Sequence, residues 1–103
     1  MRNEAGKKKF TDGAVKLEKL INQMGFETIP EYEVGRYSID IYLPEFNLGV
    51  EYDGPMHGLS RGKDKRRDKE IYDQSKIAIM RVRKITTDFN DALLEFIEEW
   101  SKK

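Results

Sequence analysis

The chain has 103 residues, 37% charged and 38% hydrophobic, which sets it at one domain around a single modest core. Nineteen basic residues balance nineteen acidic ones, so net charge alone selects no partner and the distribution of the two signs has to decide. The absence of cysteine excludes disulfides and thiolate metal sites, and no apolar run approaches the length of a membrane span.

Residues 1–10 are polar and basic and are expected to be mobile, leaving 11–103 as a single folded domain. Met1-Arg2-Asn3-Glu4 does not read as a secretory leader. Val15, Leu17, Leu20, Ile21 and Met24 fall near helical spacing and predict a helix over 11–24, started by Thr11 or Asp12 and stopped by Gly25. Three extended runs follow at 27–34, 36–43 and 47–53, broken at Gly35 and Pro44-Glu45 by connections short enough for hairpins. In the second run Tyr37, Ile39 and Ile41 alternate with Ser38, Asp40 and Tyr42, which predicts a strand with one apolar face.

Gly54, Pro55, Gly58 and Gly62 mark a loop. A helix is predicted over 63–75 and a buried strand over 77–82. Thr86 or Thr87 is the expected cap of a last helix whose apolar positions are Phe89, Leu93, Leu94, Ile97 and Trp100. Helix, three strands, helix, strand and helix in that order predict an α/β domain, a small central mixed sheet flanked by helices.

The charges are segregated. Arg61, Lys63, Lys65, Arg66, Arg67 and Lys69 crowd into nine positions, and Lys7, Lys8 and Lys9 form a second basic block. Asp88, Asp91, Glu95, Glu98 and Glu99 make the C-terminal end acidic. A basic helix face suits a polyanion, and it equally suits a solvated surface; the charge pattern leaves both open.

Asp and Glu are poor strand residues, yet Asp40, Glu51 and Asp53 sit inside strongly strand-like runs. If the two strands are antiparallel neighbours, a suitable register gathers these carboxylates at one end of the sheet. Hard divalent cations such as Mg²⁺ are held by one or two such carboxylates, with water and substrate phosphate filling the other positions. The loop that follows, DGPMHG, carries the sole histidine, His57, a candidate general acid or base, phosphate contact or metal helper. Tyr32, Tyr37, Tyr42 and Tyr52 are expected to pack on the sheet rather than stack on bases. Phe96 and Trp100 read as core anchors or as part of a dimer face.

The run SIDIYLPEFNLGVEYDGPMH followed by KDKRRDKEIYDQSKIAIMRVR resembles the core of small nucleases related to very-short-patch mismatch repair endonucleases, within the PD-(D/E)XK or restriction-endonuclease-like class. The similarity spans about residues 11–85 and lies in order and spacing. An Asp on a strand (Asp40) is followed by a Leu43-Pro44 turn, an apolar-Glu-apolar-Asp-Gly strand over 50–54 and then His57. An Asp-x-x-Arg-Asp stretch opens a helix at 64–68, and the final strand carries Arg81.

The resemblance implies Mg²⁺-dependent hydrolysis of a DNA phosphodiester, with Mn²⁺ expected to substitute. Asp40 would be the principal metal ligand and Glu51 the second. His57 would act on the phosphate or its water, Asp68 would orient that histidine, and Arg67 would bind the backbone or form an ion pair near the site. Two departures stand out. Asp53 occupies the place of the lysine usual in the broad class, and the acid common on the first helix of relatives has only Asp12 or Glu18 as counterpart.

The expected function is a DNA endonuclease of homing, mobile-element or repair type. A junction- or mismatch-specific repair nuclease and a catalytically inactive nucleic-acid-binding module of the same fold are the alternatives. The expected partners are double-stranded or structured DNA, with Arg61, Lys63, Lys65, Arg66, Arg67 and Lys69 on the phosphates, and a second copy of the chain as a homodimer. The expected compartment is the cytoplasm of a bacterial or phage-infected cell.

Overall fold

In the computed structural model, which describes residues 11–54 and 61–102 but not the side chains of 61–63, the first helix α1 spans Asp12–Gln23. Thr11 is its N-cap, the hydroxyl oxygen accepting the Ala14 N–H at 3.2 Å. Ala14, Leu17 and Ile21 form its buried stripe, and Gly25 leaves the helix with φ 97°. The remaining elements are β1 (Ile29–Val34), β2 (Tyr37–Leu43), β3 (Leu48–Tyr52), α2 (Arg61–Ser75), β4 (Ala78–Val82) and α3 (Phe89–Ser101).

The four strands make one mixed sheet in the order β1-β2-β3-β4. β1 and β2 pair antiparallel through a two-residue turn whose first residue, Gly35, has φ 58°. β2 and β3 are also antiparallel, while β3 and β4 are parallel. A parallel pair cannot be closed by a tight turn, and α2 is the crossover between them.

Helices α1 and α3 cover one face. Leu17, Ile21, Leu93 and Ile97 pack there on Ile41, Leu43, Leu48 and Val50. Helix α2 covers the other, where Ile71 meets Val34, Ile39, Tyr42 and Ile77. On that side Gly49 lets Ile39 and Ile79 close over the strand, since an added Cβ would stand 2.8 Å from each. The α/β sandwich expected from element order is therefore present.

Three local expectations are corrected. β2 does not have one apolar face: Ile39 and Tyr42 point to the α2 side, but Ile41 and Leu43 point to the α1/α3 side. The alternation slips at Asp40. Opposite it in β1, between the pairs Pro30–Ile41 and Tyr32–Ile39, stands Glu31 with φ 51°, a left-handed conformation that turns the strand. The physical reason is that β2 is an interior strand with helices on both sides, so both of its faces must be apolar. Helix α2 begins at Arg61, so Gly62 belongs to its first turn rather than to the loop. In α3 the N-cap position is held by Asp88, not by either threonine. Thr86 closes the preceding turn instead, its hydroxyl donating to the Asp88 carboxylate and its carbonyl accepting the Phe89 N–H at 3.1 Å.

Phe89, Leu93 and Ile97 are buried as expected, while Leu94 is exposed. Trp100 is half-buried and its indole N–H donates to the Phe46 carbonyl at 2.9 Å. A shallow apolar groove lies along the β4 edge, between Tyr72, Ala78, Phe96 and Trp100. Among the described residues no helix is long and apolar enough to cross a membrane.

Candidate active site

The backbone pairs of β2 and β3 run from Leu43–Leu48 to Ile41–Val50. One step further, Asp40 and Glu51 face each other, and their side chains take over the pairing. The Asp40 N–H donates to Glu51 Oε2 at 2.9 Å, and the Tyr52 N–H donates to Asp40 Oδ2 at 3.0 Å. Buried amide donors need acceptors, and here two carboxylates exchange places with backbone carbonyls. The slip of β2 at Asp40 is thus where the sheet forks and where an acidic pair is seated. Both groups are almost wholly buried, Asp40 5% and Glu51 1% exposed, and Asp53 is 8% exposed.

Glu51, Asp53 and Arg81 project to the α2 side, because Glu51 and Arg81 are register partners in the parallel pair and Asp53 is two residues on. From α2, Arg67 Nη2 donates to Glu51 Oε2 at 3.1 Å and to the Ser38 carbonyl at 2.6 Å. Its guanidinium carbon lies 5.5 Å from the centre of the Tyr37 ring, within cation–π range. Arg81 is held more tightly. Its Nε and Nη2 donate to Asp68 at 2.9 and 2.7 Å, its Nη1 donates to Asp53 at 2.7 Å, and Asp64 lies 3.7 Å away. Burial works against the Arg81 charge, but the Asp68 hydrogen bonds and the charges of Asp68, Asp53 and Asp64 outweigh it and raise its pKa above the ordinary guanidinium value. Among the described residues, five carboxylates and two guanidiniums make up this cluster.

The structure brings together Asp40, Glu51, Asp53 and Asp68 of the expected catalytic set. Asp53 is turned to Arg81, so the acid pair at the fork consists of Asp40 and Glu51. Asp68 grips Arg81 with both oxygens. His57 lies outside the described residues, and so does any contact between it and Asp68. Of the expected phosphate contacts, Lys65 and Arg66 are exposed on α2, and Lys69 is paired with Asp73 at 2.9 Å. Arg67 faces inward instead. Arg61 and Lys63 are on the first turn of α2, their side chains outside the described residues. Of the two first-helix acids, Glu18 accepts the Thr28 hydroxyl at 2.8 Å, and Asp12 is exposed next to Gly13, against which the Tyr52 ring packs.

Two partners were not singled out from sequence, the Asp64 carboxylate and the Ser38 carbonyl. Asp64 and Asp68 are four residues apart on one helix face, and Arg81 interrupts an otherwise apolar strand. β4 was expected to be buried and is instead a half-buried edge strand, but a charge on an otherwise apolar strand still demands a partner, and that was the available signal.

The donor set suits a hard divalent cation: two buried carboxylates from neighbouring strands, each accepting a backbone amide N–H, with Arg67 also on Glu51. Among the described residues no group of three His, Asp or Glu side chains converges into a metal-ligand cluster. Mg²⁺ does not need one, since one or two carboxylates with water and phosphate satisfy it. Comparison with family models, with curated proteins and with solved structures finds no match in any of the three.

Proposed function

We propose that the chain is a metal-dependent endonuclease that hydrolyses DNA phosphodiester bonds. The observation that carries this reading is the fork between β2 and β3, where Asp40 and Glu51 replace backbone carbonyls as acceptors and are held side by side in a buried place. Ordinary strand pairing needs no charged acceptors there, and two adjacent buried carboxylates, whose burial the amide N–H groups and Arg67 offset, are the oxygen donors a hard divalent cation takes.

Asp40 and Glu51 would hold Mg²⁺, which when bound stabilises developing charge on a phosphate and lowers the pKa of a bound water. The chain's own contribution is rigidity. The Tyr52 and Asp40 amides fix the two carboxylates, and the Arg81 cluster fixes α2 over them. Lys65 and Arg66, exposed on α2, supply sequence-independent attraction for a phosphate backbone.

The test is cleavage of supercoiled plasmid, and of mismatched and branched duplexes, in Mg²⁺ or EDTA by wild type, Asp40→Asn and Glu51→Gln. Both substitutions keep an oxygen to accept the amide N–H, so the fork is preserved while its charge is lost. Metal-dependent cutting by wild type that both variants lose is the expected result. Cutting that survives both substitutions, or no cutting of any of these substrates, overturns the proposal.

A further inference from the structure

We infer that Arg67 is the side chain that neutralises the scissile phosphate, reaching it by exchanging its bond to Glu51 for bonds to the phosphate oxygens. This rests on the nuclease reading of Asp40 and Glu51. The cluster contains two arginines in opposite situations. Arg81 is locked, with three hydrogen bonds of 2.7–2.9 Å to Asp68 and Asp53. Arg67 is tethered loosely. Its shortest bond, 2.6 Å, goes to an uncharged carbonyl, its bond to Glu51 is 3.1 Å, and its approach to Asp68 is 3.4 Å. Charge-assisted bonds in good geometry are shorter than the last two.

A guanidinium has five N–H donors, and these three bonds leave two of them without a partner among the described residues. The side chain is 19% exposed, so solvent or a ligand can reach it. The Ser38 carbonyl and the Tyr37 ring keep it beside the acid pair when the Glu51 bond is released. A divalent cation held by Glu51 would repel Arg67 and favour that release, and an incoming phosphate is the natural acceptor for a planar fork. During hydrolysis the water oxygen bonds phosphorus as the ester P–O bond breaks. The water's proton passes to solvent and the leaving oxygen takes one back, while Arg67 only donates hydrogen bonds.

Two measurements on Arg67→Met and Arg67→Lys test this beside wild type and Asp40→Asn. The first is Mn²⁺ binding by calorimetry without DNA, the second kcat and KM for cleavage. Arg67→Met is expected to bind Mn²⁺ about tenfold tighter, because a like charge is gone, yet to lose about 100-fold in kcat. Arg67→Lys, keeping the charge, should bind Mn²⁺ as wild type does and recover part of kcat. A side chain that merely supports the fold would weaken both. If Arg67→Met does not fold, judged by circular dichroism, Arg67→Lys decides: its kcat should fall about tenfold with metal affinity unchanged, since the fork is lost. Wild-type kcat in the folded Arg67 variants, with Asp40→Asn inactive, overturns the role of Arg67 and leaves the nuclease reading standing. Absence of Asp40-dependent cleavage in wild type removes both.

Discussion

Replacing Arg81 with methionine measures what the locked guanidinium contributes. It makes three charge-assisted hydrogen bonds to Asp68 and Asp53, with Asp64 at 3.7 Å, and it is 20% exposed. Such bonds are worth about 1.5–3 kcal/mol each when one partner is lost. Part of this returns as water reaches Asp64 and Asp68, which are partly exposed, and methionine refills the space of the aliphatic stem. The net cost is set by Asp53, buried and left without its partner, and comes to about 3 kcal/mol. Against a typical domain stability of about 5–15 kcal/mol that is a large share, and it lowers Tm by roughly 12–24 °C.

The pH dependence identifies the cause. Because the Arg81 pKa is raised, its contribution is complete below the ordinary guanidinium range and is lost only above it. Between about pH 6 and pH 9 the difference between wild type and variant, read by urea unfolding, should therefore stay constant. A gap below about 1 kcal/mol at neutral pH, or one that closes across that range, would refute the ion-cluster argument.

Two further substitutions probe the frame around the site. Asn47 has φ 53°, accepts the Tyr42 hydroxyl at 2.6 Å and donates to the Ser75 and Lys76 carbonyls at the end of α2, at 3.2 Å each. Asn47→Ala should cost about 2–3 kcal/mol in chemical denaturation, and Asn47→Gly about 1 kcal/mol less, because glycine tolerates the left-handed conformation; the reverse order would contradict this. At Gly13 an added Cβ would stand 2.2 Å from Cε2 of Tyr52. Gly13→Ala gains up to about 1 kcal/mol of helix propensity but overpacks by about 1–3 kcal/mol, so stability should fall. Cleavage should fall with it, because the Tyr52 amide holds Asp40; a more stable, fully active variant would show that the ring is free to move.

What was legible in the sequence followed periodicity, and what was not followed partners. Leu17 and Ile21 declare α1, and Leu93 and Ile97 declare α3, because a helix with one buried stripe repeats every three to four residues. The strands were legible from their β-branched and aromatic runs to within two residues. β2 misled because the expected alternation assumed one covered face, and the apolar Ile39 and Ile41 satisfy that pattern while pointing to opposite sides. No local signal marks a phase slip whose counterpart, the left-handed Glu31, sits on another strand. At the site, Asp40 and Glu51 stood out as charges inside strands. Which arginine meets which acid depends on how α2 lies across the sheet, and that is a tertiary fact. Arg66 and Arg67 are adjacent in sequence, yet one is exposed and the other turns to Glu51. A helix rotates by about 100° per residue, so neighbours in a basic run cannot share a face.

The distribution of the site over the chain has a consequence for how it assembles. Glu51 and Asp53 lie on β3 or at its end, Asp64, Arg67 and Asp68 on α2, and Arg81 on β4. One parallel crossover therefore supplies every member of the cluster except Asp40. Its charges pair across the crossover, Arg81 from β4 to α2 and to Asp53, Arg67 from α2 to β3, so docking α2 on the sheet and neutralising the carboxylates are the same event. Asp40 arrives from the hairpin of β1 and β2 and is joined to the crossover through the two amide–carboxylate bonds with Glu51 and Tyr52. The acid pair thus straddles the seam between the two halves of the sheet. Loosening that seam would separate the carboxylates without unfolding either half, which would place the proposed activity closer to failure than the fold.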